Sequence, residues 1–173
     1  MRLESLVAVV HALNEAGSRF LVAGGVAVNL HGYIRATQDL DLVVGLSTGN
    51  ALSAMRALAG LGYRPQVPVA MEDFADPAKR RDWIDSKGME VFSVVSEAHP
   101  ETTVDLFVAE PFAFEEEYRL AHRFEIAPGV TAATVRPETL IAMKRAVGRN
   151  RDKDDVRHLE WLLEEGDEGG EDD

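Results

Sequence analysis

The chain is predicted to fold as an α+β domain: a mixed, mainly antiparallel sheet flanked by helices, with further helices at the C-terminal end. Three observations predict this. Short apolar runs such as "RFLVA" (19–23) and "DLDLVV" (39–44) alternate with segments whose apolar residues recur at helical spacing. "HRFEIA" and "VTAATV" flank Pro128-Gly129, a turn signal, and read as a hairpin. Beyond Pro137 the pattern is helical for most of the remaining chain.

Taken in order, Leu3, Leu6, Val7, Val10 and Leu13 place a helix over 3–16, ended by Gly17. Residues 19–23 are too short for a helix and apolar enough for a strand. Gly24-Gly25 opens a second helix through Leu30, and residues 39–44 form the next strand. Leu52, Met55, Leu58 and Ala59 share one face of a helix over 50–60. The three prolines and the charged stretch of 64–88 predict a loop with one short helix. "MEVFSVVS" (89–96) and "TTVDLFVA" (102–109) are strands joined by a polar turn near Pro100. Pro137 suits a first helical position, and that helix runs to Gly148. A last helix spans about 152–164.

Composition narrows the function classes. The 173 residues are enough for one domain with a real core, placed at 1–163. The chain has no cysteine, which excludes disulfides, thiolate metal sites and a cysteine nucleophile. No apolar run approaches the ~18 residues of a membrane helix, and the N-terminal segment is no secretory signal, so a cytoplasmic protein with no membrane partner is expected. Net charge is −12, yet the last ten residues, "EEGDEGGEDD", carry seven acids and no base. Residues 164–173 therefore read as a disordered acidic tail. Without it, 23 acids stand against 18 bases, a body only mildly acidic.

The unusual feature is a pair of carboxylates inside an apolar strand. Residues two apart on a strand point to one side, so Asp39 and Asp41 project together, roughly 6–7 Å apart at the backbone. Leu40, Leu42 and Val44 face the core. Two converging carboxylates repel unless a cation lies between them, and oxygen ligands on a firm element suit Mg²⁺. An acidic solvent-facing strand is the competing reading. Upstream, strand, Gly24-Gly25 and helix offer backbone N–H groups to an anion, and glycine lets a phosphate approach closely. A plain strand-to-helix turn is the alternative there. Asp105 interrupts "TTVDLFV" in the same way, alternating with Val104, Leu106 and Val108, and taken alone it reads equally as a solvent-facing acid on a strand.

These residues resemble the nucleotidyltransferase superfamily of the DNA polymerase beta-like fold. The carriers are Gly-Gly after a short apolar strand, thirteen intervening residues, Asp-x-Asp between apolar residues, and a later apolar-Asp-apolar strand at Asp105. "R-x-T-x-D-x-D" (Arg35, Thr37), "KGMEVFSVV" and "LIAMKRAVGRNRDKDDVRHL" are similar to the branch of stand-alone nucleotidyltransferases that contains AbiEii- and MenT-type toxins. The resemblance covers about 19–163. Many members have serine where Gly25 stands, so a hydroxyl contact to phosphate is lost here.

The resemblance implies Asp39, Asp41 and Asp105 as catalytic and metal-binding residues for two Mg²⁺ ions, with Mn²⁺ as substitute. Gly24, Gly25, Arg35, Thr37, Lys144 and Asp155 are implied at the nucleotide. A nucleoside triphosphate would be substrate, an RNA end such as tRNA the acceptor, and an antitoxin the controlling partner. Two other readings stand beside it: transfer to a small molecule of aminoglycoside or lincosamide type, and a non-catalytic nucleotide-binding protein on the same fold.

Downstream, Lys144 lies in line with Leu140, Ile141 and Val147, and Asp155 on the apolar side of the last helix with Val156, Leu159 and Leu163. Buried ions need partners, so Lys144 and Asp155 either pair with each other or with Arg145 and Arg149, or Lys144 reaches a triphosphate with Asp155 orienting it. Asp152 is read as the N-cap of that helix. Arg35 either neutralises Asp39 and Asp41 or touches phosphate. Arg149 and Arg151 suit solvent or phosphate. His11 and His31 have no metal-ligand spacing and read as helix-surface residues, and Trp83 reads as a packing anchor, with a base-stacking platform as the alternative.

Overall fold

The computed structural model describes residues 1–168, the side chains of 166–168 excepted. Seven strands, β1 (Phe20–Val22), β2 (Asp39–Val44), β3 (Arg64–Pro65), β4 (Val91–Val95), β5 (Thr103–Phe107), β6 (His122–Ala127) and β7 (Val130–Thr134), form one sheet in the order β3-β4-β5-β2-β1-β7-β6. The β1/β2, β3/β4, β4/β5 and β6/β7 pairs are antiparallel, while β2/β5 and β1/β7 are parallel. The sheet is flanked by α1 (Leu3–Glu15), α2 (Gly24–Leu30), α3 (Thr48–Gly60), α4 (Pro77–Lys87), α5 (Phe114–Leu120), α6 (Pro137–Val147) and α7 (Asn150–Glu168). This is the mixed α+β sheet the apolar spacing predicts.

The central strands carry the core. Leu21, Leu40, Leu42, Leu106 and Phe92 are fully or almost fully buried, packed with Leu13 from α1, Met55 and Leu58 from α3, and Leu140 from α6. Along β2 burial rises from exposed Asp39 through half-buried Asp41 to buried Val43. Val43 shares the aspartates' side of the strand, so that side is open only at its first residues. There α2 packs on β2 and covers part of the face.

Three stretches differ from expectation. Within 64–88 lie the short strand β3, a 3-10 turn over Met71–Ala75 and the full helix α4, started by Asp76, whose carboxylate accepts from the N–H groups of Ala78 and Lys79. Residues 114–120, given no element from the sequence, form α5. It is too short for a legible apolar stripe and buries only Phe114 and Glu117. Helix α7 starts at Asn150 and continues to Glu168, into the stretch expected as a tail from 164; residues 169–173 lie outside the described residues. Trp83 is buried and stacked on Phe92, as a packing anchor should be. His31 is no plain surface residue: half-buried, its Nε2 lies 2.8 Å from the Val135 carbonyl, and its ring meets His122 and Phe124 edge-on. No helix among the described residues is long and apolar enough to cross a membrane.

Candidate active site

The register of the sheet brings the acids together. β2 and β5 run parallel with Asp41 opposite Asp105 and Asp39 opposite Thr103. β5 and β4 run antiparallel with Asp105 opposite Ser93. One row across three strands therefore reads Asp41, Asp105, Ser93, with Asp39 two residues along β2. Directly opposed residues on neighbouring strands lie about 4.5–5.5 Å apart at Cβ. Sixty-odd residues of intervening chain separate Asp41 from Asp105, and the parallel pairing alone makes them neighbours.

Gly24 meets this row from above. Its φ of +59° suits glycine, and a Cβ there would stand 1.9 Å from Asp41 Oδ2. The first residue of α2 is thus in van der Waals contact with a carboxylate, a packing no other amino acid permits. Gly25 is buried, and a Cβ on it would lie 2.8 Å from Thr37 Oγ1 and 3.0 Å from an Arg35 nitrogen. Thr37 in turn donates to the Asp39 carbonyl at 3.3 Å. The glycines, Arg35, Thr37, Asp39 and Asp41 are therefore one contiguous surface.

Burial raises the Asp41 carboxyl to about 6, helped by the neighbouring charges of Asp105 and Asp39 and opposed by Lys144 and Arg151. Asp105 is raised as well, chiefly by burial and further by Asp39, against the hydrogen bond from Ser93. Among the described residues no group of three His, Cys, Asp or Glu side chains is drawn close enough to hold a metal ion as it stands. In its chemistry the donor set nonetheless fits a hard divalent cation: three carboxylates that offer oxygen ligands only.

The cations expected near these acids are engaged elsewhere. Arg35 does not neutralise Asp39 and Asp41; it makes a two-pronged ion pair with Asp155, Nε–Oδ1 2.6 Å and an Nη nitrogen to Oδ2 2.7 Å. Lys144 Nζ lies 2.7 Å from the same Asp155 Oδ2 and 3.6 Å from Asp152 Oδ1. Lys144, Asp152 and Asp155 are all buried, Asp155 completely. Asp155 thus does not reach the cleft; it holds two cations from behind. Asp152 is not the N-cap either, since α7 begins two residues earlier. Its carboxylate reaches back to the Arg149 N–H at 3.1 Å, the acidic half of a capping box, and Arg145 pairs with Glu160 on the surface.

The cleft encloses about 450 Å³ and is lined on the sheet side by Gly24, Gly25, Asp39, Asp41 and Asp105. Arg35 and Thr37 line it from the loop, Lys144, Arg149 and Arg151 from the C-terminal helices. Of the residues expected at the site, only Asp155 stands outside the lining. Glu90, Phe107 and Met143 are among the wall residues not singled out from the sequence, and so is Ser93 beside the cleft, whose Oγ donates to Asp105 Oδ1 at 2.5 Å. Ser93 did leave a signal, as the one polar residue on the Val91, Ser93, Val95 face of its strand.

No protein-family model matches the chain, and no curated protein matches it in sequence. Sheet and helices together form a nucleotidyltransferase-like fold. The solution structure of the antibiotic-resistance factor ANT(2'')-Ia, a nucleotidyltransferase, matches over 94% of this chain and 86% of its own, with a TM-score of 0.58 and 14% identity. The two chains share a fold across nearly their whole lengths.

Proposed function

We propose that the protein is a metal-dependent nucleotidyltransferase that moves a nucleoside monophosphate from a nucleoside triphosphate to an acceptor hydroxyl, most simply an RNA end such as that of tRNA, as a toxin-like enzyme under an antitoxin. The observation that carries the reading is the Asp41–Asp105 row beside Gly24 in a cleft of ligand size. Asp39, Asp41 and Asp105 would hold Mg²⁺ or Mn²⁺. The cation supplies charge neutralisation for the phosphates and Lewis-acid activation of the reacting oxygens. Gly24 and Gly25 let Asp41, Thr37 and Arg35 pack directly against the start of α2 at the cleft, where phosphate would sit, and Lys144, Arg149 and Arg151 contribute positive charge from the opposite wall. Asp105, which accepts the Ser93 hydroxyl at one oxygen, would take the acceptor proton. The acceptor oxygen then bonds to the α-phosphorus as the bond to pyrophosphate breaks.

The RNA acceptor is supported by the resemblance to the toxin branch and by Arg149 and Arg151 at the cleft. Transfer to an aminoglycoside- or lincosamide-type small molecule is favoured instead by the exposed Glu90 on the opposite wall and by the shared fold with an antibiotic-resistance factor. Incubation with α-labelled nucleotide, Mg²⁺ and either total RNA or an antibiotic panel separates the two. Asp39→Asn is expected to abolish transfer in whichever arm is labelled. Undiminished transfer by that variant would remove the mechanism.

A further inference from the structure

We infer that Ser93 is a positioning residue for Asp105: its hydroxyl fixes which carboxylate oxygen Asp105 presents to a divalent cation. The inference rests on the nucleotidyl-transfer reading and adds to it a residue outside the three acids.

Ser93 sits at the centre of β4, directly opposite Asp105 in the antiparallel β4/β5 ladder. Its neighbours on the same face, Val91 and Val95, are β-branched and apolar, as suits a half-buried strand. A hydroxyl in that row has no packing advantage over valine. It does have a partner: Oγ donates to Asp105 Oδ1 at 2.5 Å. The backbone beneath is pinned from the other side, where the Gln66 N–H donates to the Ser93 carbonyl at 3.0 Å. The donor is therefore placed by two strand neighbours and not by a mobile loop.

Asp105 needs such a fixture. Its strand face holds Thr103 and Phe107, neither of which hydrogen-bonds its carboxylate among the described residues. A carboxylate with one oxygen tied presents the other alone, whereas an untied one turns freely about its terminal torsion. Groups that orient a metal ligand in this way typically cost about 10–100-fold in metal affinity or activity when removed.

The test compares two side chains of equal shape, Ser93→Thr and Ser93→Val, with Ser93→Ala as a third variant should valine disturb folding. Mn²⁺ alone is titrated into each protein and followed by electron paramagnetic resonance; Mg²⁺ for half-maximal transfer is measured in parallel. Threonine should keep both values within about threefold of wild type. Valine and alanine should raise both by about tenfold or more while leaving the triphosphate KM at saturating metal unchanged. In an Asp105→Asn background, Ser93→Val should change Mn²⁺ binding no further. Valine and alanine variants that bind Mn²⁺ as tightly as wild type overturn the role of Ser93 while leaving the nucleotidyl-transfer reading intact. A wild-type protein that neither binds Mn²⁺ nor transfers label overturns both.

Discussion

Asp41 is where folding and the proposed chemistry oppose each other. Burial, then Asp105, then Asp39 raise its carboxyl from 3.8 to about 6, so the ionised form is the costly one in the folded chain. A carboxyl whose folded value lies above its unfolded value contributes stability below pH ~4, and that contribution is lost as pH rises through about 6. Above that range the wild-type protein without divalent cation carries a penalty on the order of 2–3 kcal/mol. Asp41→Asn keeps the shape and drops the charge. It should unfold at higher denaturant than wild type at pH 8 in the absence of divalent cations, by roughly that free energy, and show little difference at pH 4. Transfer activity should vanish at both. Equal midpoints for the two proteins at pH 8 would mean that solvent or a neighbour already neutralises the charge. The uncompensated acid is the pattern of a site kept for function at a cost in stability.

At the scale of elements, the C-terminal helices are tied to the sheet by buried charge. Asp155 on α7 receives both prongs of Arg35 from the loop before β2 and the ammonium of Lys144 from α6. Burial alone would raise its carboxyl, but the hydrogen bonds from Arg35 and Lys144 prevail and hold it below the usual range. Asp155→Ala would strip Arg35 of its carboxylate and leave Lys144 only the longer contact to Asp152, in a largely buried setting, a loss of about 3–5 kcal/mol. The expected outcome is a lower thermal midpoint, with faster amide hydrogen exchange along α7 and the 31–38 loop than along β4 and β5. Exchange unchanged in α7 would show that apolar packing alone holds the helix. How much of this was legible follows from the same elements. Helix α2 and strand β2 stand where the spacing put them, because Gly-Gly and the alternation of 39–44 are local signals. The burial of Lys144 and Asp155 was legible as an ion on an apolar stripe, and so was their need for partners. The Arg35–Asp155 pair was not, since 120 residues separate the two and nothing local to either names the other. Helix α5 was missed because what holds it is remote: buried Glu117 accepts from the Arg136 N–H, its guanidinium and the Thr139 hydroxyl at the start of α6. The sheet register was also beyond reach, and with it the alignment of Ser93 to Asp105.

For the whole molecule, the cleft has two walls that belong to different parts of the fold. Gly24, Asp39, Asp41 and Asp105 come from the sheet and α2; Leu140, Met143, Lys144, Arg149 and Arg151 come from α6, the junction and α7. A ligand that touches both walls adds to the Arg35–Asp155 and Glu117–Arg136 ties and stabilises the folded chain by mass action, about 2.7 kcal/mol at a hundredfold excess over Kd. The like-charged acids make that stabilisation conditional. Triphosphate alone brings negative charge to three carboxylates, and divalent cation alone meets a row not drawn together around it. Mg²⁺ and a non-hydrolysable triphosphate are therefore expected to raise the thermal midpoint together far more than the sum of their separate effects. EDTA should cancel the shift, and Asp39→Asn should lose most of it. A non-catalytic nucleotide-binding protein on this fold behaves otherwise: the triphosphate stabilises it equally with and without EDTA. That result would reassign the carboxylate row to structure and leave the cleft as a binding site alone.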